Sequence, residues 1–174
     1  MKTLFKRILF TISSYILRYA EQARKENVYK KYSFPKSVRF EEVSFNGDVT
    51  IGERTYINDW SRIDSGSHSK VVIGRDCAIG RFVHITSKTH DLNRPTTDED
   101  NCLINNIEAD TSICNEVWIG DFVFIGHGIT IGNNAIIGTH SFVNRNVEPF
   151  EIVGGIPIRH IRYNDKHPLR RAIL

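Results

Sequence analysis

The sequence has few cysteines, little net charge and no long apolar run near its amino terminus, and each absence excludes a class of protein. The three cysteines, Cys77, Cys102 and Cys114, form neither a metal-ligand spacing nor an even disulfide set. The formal net charge of +3 is too small to indicate nucleic-acid binding, and no nucleic-acid motif is present. We therefore expect one cytoplasmic domain of 174 residues, with reduced thiols and no nucleic-acid partner.

The amino-terminal segment, residues 1–34, predicts an amphipathic helix. Its apolar residues recur at intervals of three and four, and residues 1–32 hold eight Lys or Arg against two Glu. The uncharged run Ile8–Leu17 has only ten residues, whereas a bilayer span needs about 20. Lys6 and Arg7 would interrupt a signal peptide. Two roles stay open: packing on the rest of the protein or a neighbouring subunit, or peripheral binding to an anionic membrane surface.

A six-residue repeat dominates the rest of the chain. A branched aliphatic residue recurs in phase, usually followed by Gly, and a small or β-branched residue stands four places later; the clearest aliphatic positions are Ile119, Ile125, Ile131, Ile137 and Val143. This period fits neither a helix nor a plain strand, but it suits a short strand and a corner, repeated and stacked. Strands of a sandwich recur at the wider spacing of about 8–12 residues. We expect the Gly to relax the backbone at each bend.

These repeats resemble those of the hexapeptide-repeat acyltransferases, which include maltose and galactoside acetyltransferases and polysaccharide O-acetyltransferases. The resemblance covers about residues 38–162 and implies an all-β fold, a left-handed parallel β-helix in which three hexapeptides form one triangular coil. We accordingly assign residues 35–162 to the β-helix and residues 163–174 to a basic carboxy-terminal tail or short helix. The resemblance also implies a homotrimer with active sites between subunits.

A polar excursion interrupts the repeat at residues 91–116, and His90 stands at its root. A histidine on a rigid coil beside a long loop suits a catalytic group. The segment Val83–Leu92 resembles the signature V-H-I-Y-T-A-T-H-P-L of maltose and galactoside acetyltransferases. That resemblance makes His90 the general base, which would take a proton from an acceptor hydroxyl as it attacks the thioester of acetyl-CoA. The group that orients His90 stays open between a backbone carbonyl, Asp64 and Asp91.

The resemblance also assigns binding residues. Asn58 and Trp118 match an acceptor-contacting Asn and the Trp of a V-W-I-G motif, and Trp60 is a candidate platform for a sugar ring. Residues 137–143 and 155–162 are similar to the coenzyme A region of the family. By position, the expected contacts are with pantetheine or with the nucleotide phosphates: Asp121, Thr139 and Asn144 for the first, Arg159 and Arg162 for the second.

We interpret the protein as an O-acetyltransferase that uses acetyl-CoA, without a metal, on a sugar hydroxyl of a surface-polysaccharide intermediate. Direct attack in a ternary complex is expected, because no nucleophilic Ser or Cys stands beside a base. Three alternatives stay open: N-acetylation of a nucleotide-linked amino sugar, a non-catalytic scaffold, and a metal β-helix with converging histidines. The last needs three histidine ligands, and His84 and His90 lack the spacing of that group.

Overall fold

The computed structural model of this protein describes residues 2–91 and 106–166, and these contain one helix and 18 strands. The chain divides into two compact units, Met1–Phe34 and Pro35–Leu174. Part of the predicted tail, residues 167–174, and part of the predicted loop, residues 92–105 with Cys102, lie outside the described residues. The first residue of the predicted tail, Tyr163, belongs to the last strand.

The first unit is the helix α1, Lys2–Tyr32. Ser33, directly after the helix, has a left-handed φ of 54°, and the N–H of Phe34 donates to the carbonyl of Tyr29 at 3.2 Å. Apolar side chains stay exposed along the helix: Leu9, Phe10, Ile12, Tyr15, Ile16, Leu17 and Tyr19. Within the described residues, no helix has both the length and the apolar character needed to cross a bilayer.

The second unit is a stack of short strands. In chain order they are β1 Arg39–Phe40, β2 Ser44–Asn46, β3 Asp48–Ile51, β4 Tyr56–Ile57, β5 Arg62–Asp64, β6 Lys70–Ile73, β7 Ala78–Ile79, β8 His84–Thr86, β9 Lys88–His90, β10 Asn106–Glu108, β11 Thr111–Ile113, β12 Trp118–Ile119, β13 Phe124–Ile125, β14 Thr130–Ile131, β15 Ile136–Ile137, β16 Phe142–Val143, β17 Glu151–Gly154 and β18 Arg159–Tyr163. All but β9, β10 and β18 take part in a regular succession of coils.

The coils build three sheets, which we number in the order that the chain visits them. Sheet 1 is β1-β4-β7-β12-β15-β17-β18, sheet 2 is β2-β5-β8-β13-β16, and sheet 3 is β3-β6-β11-β14. Every pairing within them is parallel except that of β17 with β18. The first four coils, from β1 to β14, each contribute one strand to each sheet. The coil of β15 and β16 reaches sheet 3 only through the bridge between Ile131 and Val147.

The core is the column of aliphatic side chains inside the coils. Ile57, Ile79, Ile119 and Ile137 are in register in sheet 1, and each is at most 2% exposed. Burying such a side chain stabilises the fold by about 1.5–3 kcal/mol. The second inward register holds small or β-branched residues, such as Cys77, Val123 and Ala135.

The bend of each coil differs from the prediction. The left-handed residue is three places after the aliphatic one. It is Gly only at Gly128, with a φ of 71°; at the other corners it is a non-Gly residue with φ of 54–59°: Arg54, Trp60, Asp76, Phe82, Glu116, Phe122, Asn134 and His140. The Gly that follows the aliphatic residue is needed because successive coils approach closely. A Cβ on Gly80 would lie 2.7 Å from the backbone nitrogen of Asp121, and one on Gly132 would lie 2.4 Å from that of Pro149.

The predicted excursion at residues 91–116 is shorter than expected at its carboxy-terminal end. Residues 106–108 form β10, which pairs antiparallel with β9, and residues 111–113 form β11 inside sheet 3. Ile113 is 1% exposed and in register with Ile73 and Ile131. The coil therefore resumes at Thr111, six residues earlier than the sequence prediction of Val117.

Candidate functional site

A groove of about 420 Å³ runs along the outer surface of sheet 1. Tyr56, Ala78 and Trp118 point outward in one register, and the small Ala78 leaves a depression between the two aromatic side chains. Ile136 continues the apolar wall beside Trp118, which is 57% exposed. The groove thus offers a long, mostly apolar surface on a rigid sheet.

Four of the predicted binding residues line this groove: Asn58, Trp118, Asp121 and Thr139. The side chain of Asp121 accepts a hydrogen bond from the N–H of Arg81 at 2.8 Å, and the hydroxyl of Thr139 donates to the carbonyl of Asp121 at 2.8 Å. These bonds fasten three successive coils at the edge of the groove. Both side chains are exposed, so they also present polar atoms along its rim.

Trp60 lies in an aromatic stack rather than in the groove. The rings of Trp60, Phe82, Phe122 and His140 follow one another at centroid distances of 4.9, 4.7 and 4.8 Å. One face of the Trp60 indole is therefore covered by Phe82, while its Nε1 donates to Glu42 at 2.9 Å. This stack is not among the features predicted from the sequence, although all four residues stand three places after an aliphatic position and so share the left-handed corner.

His90 lies on a different edge of the coil stack from the groove. It ends β9, which follows the sheet 2 strand β8, whereas the groove occupies sheet 1 and the turn after it. Its side chain is exposed and forms no hydrogen bond within the described residues. His90 is not among the residues that line the groove.

Of the candidates to orient His90, Asp64 contacts a different histidine. Its Oδ2 lies 3.0 Å from Nε2 of His84 and also contacts Arg62, while its buried Oδ1 has no hydrogen-bond partner within the described residues. Asp91 directly follows His90 in the chain.

The other predicted coenzyme A residues are dispersed. Asn144 is exposed after β16, and Arg159 is exposed at the start of β18. Arg162 lines a second groove with Trp118 and Lys166, and its Nη1 donates to the carbonyl of Tyr163 at 3.1 Å. Trp118 therefore separates the groove that holds Asp121 and Thr139 from the one that holds Arg162.

The side chains of Cys77 and His160 contact other groups of the fold. Burial raises the pKa of the Cys77 thiol, which contacts the carbonyl of Cys114 at 3.1 Å. His160, which has no partner evident from sequence, lies 3.1 Å from the buried carboxylate of Glu151, which also pairs with Arg145 at 2.9 Å. In residues 2–91 and 106–166, no group of three or more His, Cys, Asp or Glu could hold a metal ion.

Comparison with known proteins supports the predicted resemblance. The model of the bacterial transferase hexapeptide (six repeats) matches residues 110–145. The chain carries the hexapeptide repeat of bacterial transferases. That repeat implies a left-handed β-helix. The predicted similarity to the hexapeptide-repeat acyltransferases is confirmed. No curated protein matches the chain.

Three solved structures illustrate the similarity. A hexapeptide-repeat-containing acetyltransferase of Vibrio cholerae is 25% identical, with a TM-score of 0.65 over 82% of this chain and 80% of its own. A galactoside acetyltransferase in complex with coenzyme A is 27% identical, with a TM-score of 0.55 over 73% and 67%. The polySia-specific acetyltransferase NeuO is 25% identical, with a TM-score of 0.51 over 75% and 68%.

Proposed function

We propose that this protein is an O-acetyltransferase that transfers acetyl from acetyl-CoA to a sugar hydroxyl. The acyltransferase class and the donor follow from the comparisons, since similar chains are acetyltransferases and one was solved with coenzyme A. The observation that carries the proposal is the groove of sheet 1, which collects Asn58, Trp118, Asp121 and Thr139 on one rigid surface. Its apolar wall and polar rim suit the alkyl and amide groups of a pantetheine arm.

His90 is the general base in this proposal. Neutral imidazole, with a pKa of about 6.5 when unperturbed, removes the proton of the acceptor hydroxyl as the oxygen attacks the thioester carbonyl. The carbon–sulfur bond then breaks, and the thiolate leaves with its electron pair and takes up a proton. No covalent enzyme intermediate is required; the buried Cys77 thiol, with its raised pKa, is not a plausible nucleophile.

The site is proposed to form between two copies of a homotrimer. Support comes from the geometry of one chain, in which His90 and the groove occupy different edges of the coil stack. A neighbouring copy supplies His90 to the groove, as sites between subunits in the family imply. Asn58 and Trp118 then contact the acceptor, and Asn144 and the exposed Arg159 and Arg162 extend the donor site toward its phosphates.

The acceptor class is a surface polysaccharide or its lipid-linked intermediate at the cytoplasmic face of a membrane. The exposed apolar side chains of α1, interspersed with Lys and Arg, support a peripheral contact with anionic lipid. Removal of residues 1–25 is expected to abolish binding to anionic vesicles and to lower activity on a lipid-linked acceptor. Full binding and activity after truncation would favour the packing role of the helix instead.

A panel of acceptors with a thiol-release assay tests the reaction itself. Free coenzyme A should appear with sugar hydroxyl acceptors and not with nucleotide-linked amino sugars. Faster release with the amine acceptors would replace this proposal with N-acetylation. Absence of release with every acceptor, together with no binding of acetyl-CoA, would leave the scaffold alternative.

A further inference from the structure

The strand that carries His90 has little support of its own. β9 leaves the coil after Ser87 and pairs with β10 through three residue pairs, Lys88 with Glu108, Thr89 with Ile107 and His90 with Asn106. Thr89 and His90 are exposed. A two-stranded ribbon is only marginally stable by itself, so an anchor outside the ribbon is needed to hold His90 in one place.

Glu108 supplies such an anchor. Its carboxylate accepts hydrogen bonds from the N–H of His68 at 2.6 Å, the N–H and hydroxyl of Ser67 at 3.1 and 3.2 Å, and the hydroxyl of Ser69 at 3.2 Å. These hydrogen bonds, first among them the one from the N–H of His68, hold the pKa of Glu108 below its usual range. Hydrogen bonds to an ionised acceptor are about twice as strong as neutral ones.

The segment that receives Glu108 is an insertion in the repeat. Ile63 and Ile73 are ten residues apart where the period requires six. Within this insertion, the hydroxyl of Ser69 lies 2.8 Å from that of Ser87, and both accept from the N–H of Gly66. The N–H of Ala109 in turn donates to the carbonyl of Ser87 at 3.0 Å. The insertion therefore joins the root of β9 and the end of β10 to the body of the coils.

Gly66 lies against the carboxylate of Glu108. A Cβ at this position would lie 2.2 Å from the carboxyl carbon of Glu108, so only Gly leaves room for the carboxylate. The inserted backbone is thus shaped around the Glu108 side chain.

From these contacts we infer that Glu108 is a positioning residue for His90, acting through the β9–β10 ribbon. This inference rests on the proposed role of His90 as the base. Misplacement of a reacting group by about 1 Å can cost 100-fold in rate, and the groove of sheet 1 does not contain Glu108. Loss of Glu108 therefore affects the chemical step and spares the donor site.

The test compares Glu108→Ala and Gly66→Ala with Glu53→Gln, which removes an exposed carboxylate paired with Arg54 at another corner. Either of the first two variants should lower kcat by roughly 10- to 100-fold with an unchanged KM for acetyl-CoA. Amide hydrogen exchange of residues 107–109 should speed up in both. The Glu53→Gln variant should match the wild type in all three measurements.

A double-mutant cycle separates positioning from general stability. If Glu108 acts through His90, Glu108→Ala should cause no further loss of kcat in a His90→Ala background. An equal loss in both backgrounds would show a structural role and overturn the inference. The inference is also overturned if His90→Ala is slow but Glu108→Ala has the wild-type rate. If both variants have the wild-type rate, the proposed role of His90 as the base is refuted.

Discussion

Two variants that are each inactive should regain activity when their chains are assembled together. His90 lies beyond sheet 2, whereas the groove lies on sheet 1. The prediction follows from the proposed trimer, in which each site would take its histidine from one chain and its groove from the next. His90→Ala removes the base, and Ala78→Trp fills the depression between Tyr56 and Trp118. Because Ala78 points outward from its strand, the larger side chain blocks the groove without entering the core.

The expected recovery can be worked out from the geometry. In a closed ring of copies, every interface is equivalent and joins the histidine edge of one chain to the groove of its neighbour. After the two variants are unfolded and refolded together in equal amounts, an interface is intact when it receives its histidine from an Ala78→Trp chain and its groove from a His90→Ala chain. Random assembly makes about one quarter of the interfaces intact, so about 25% of the wild-type rate should return.

The assay is thiol release from acetyl-CoA after refolding, with native mass measurement to show that mixed assemblies form. Each variant refolded alone serves as the control and should stay inactive. Mixed assemblies that are as inactive as the separate variants would refute the reasoning, because the histidine and the groove would then have to work on the same chain.

Three other predictions follow from single positions. His90→Ala should slow thiol release by about 10²- to 10⁴-fold with acetyl-CoA still bound. The control variant His127→Ala changes a coil corner outside the site and should keep the wild-type rate. If the two variants release thiol at the same rate, His90 has no part in the mechanism. Ile125→Ala removes a fully buried side chain and should lower the free energy of unfolding in urea by about 2–5 kcal/mol, whereas a loss below about 1 kcal/mol would contradict a packed core. The Cys77 thiol is buried with a raised pKa, so it should resist thiol labelling in the native protein and react in denaturant; rapid native labelling would show that its coil opens.

The sheets could be predicted from sequence because each hexapeptide obeys a local rule. Ile119, Ile125 and Ile131 each predict one strand, and the constant period then predicts that successive coils stack. Ile113 escaped this rule although it stands six residues before Ile119, because Cys114 rather than Gly follows it and polar residues precede it. The inward aliphatic residue, and not the Gly that usually follows it, is what the core requires.

The site was less predictable, since its contacts join segments whose register depends on the insertions between them. The pairing of Asp64 with His84 links adjacent coils, 20 residues apart in sequence. The hydrogen bonds that Glu108 accepts from Ser67, His68 and Ser69 join residues 39–41 positions apart in sequence. No local pattern encodes these distances. The aromatic stack from Trp60 to His140 is different, because its members share one corner position and a reading of the left-handed register would have found it.

The two interruptions of the repeat are physically one feature. The insertion after Ile63 receives Glu108, and Glu108 belongs to the ribbon that interrupts the next coil. A regular coil offers every hexapeptide the same strand and the same corner, so it builds a rigid support but cannot single out one position for chemistry. A distinct position requires a departure from the period, and a departure adds backbone groups that need hydrogen-bond partners. Here each interruption supplies partners for the other, which holds His90 on an edge that the repeat alone would not create.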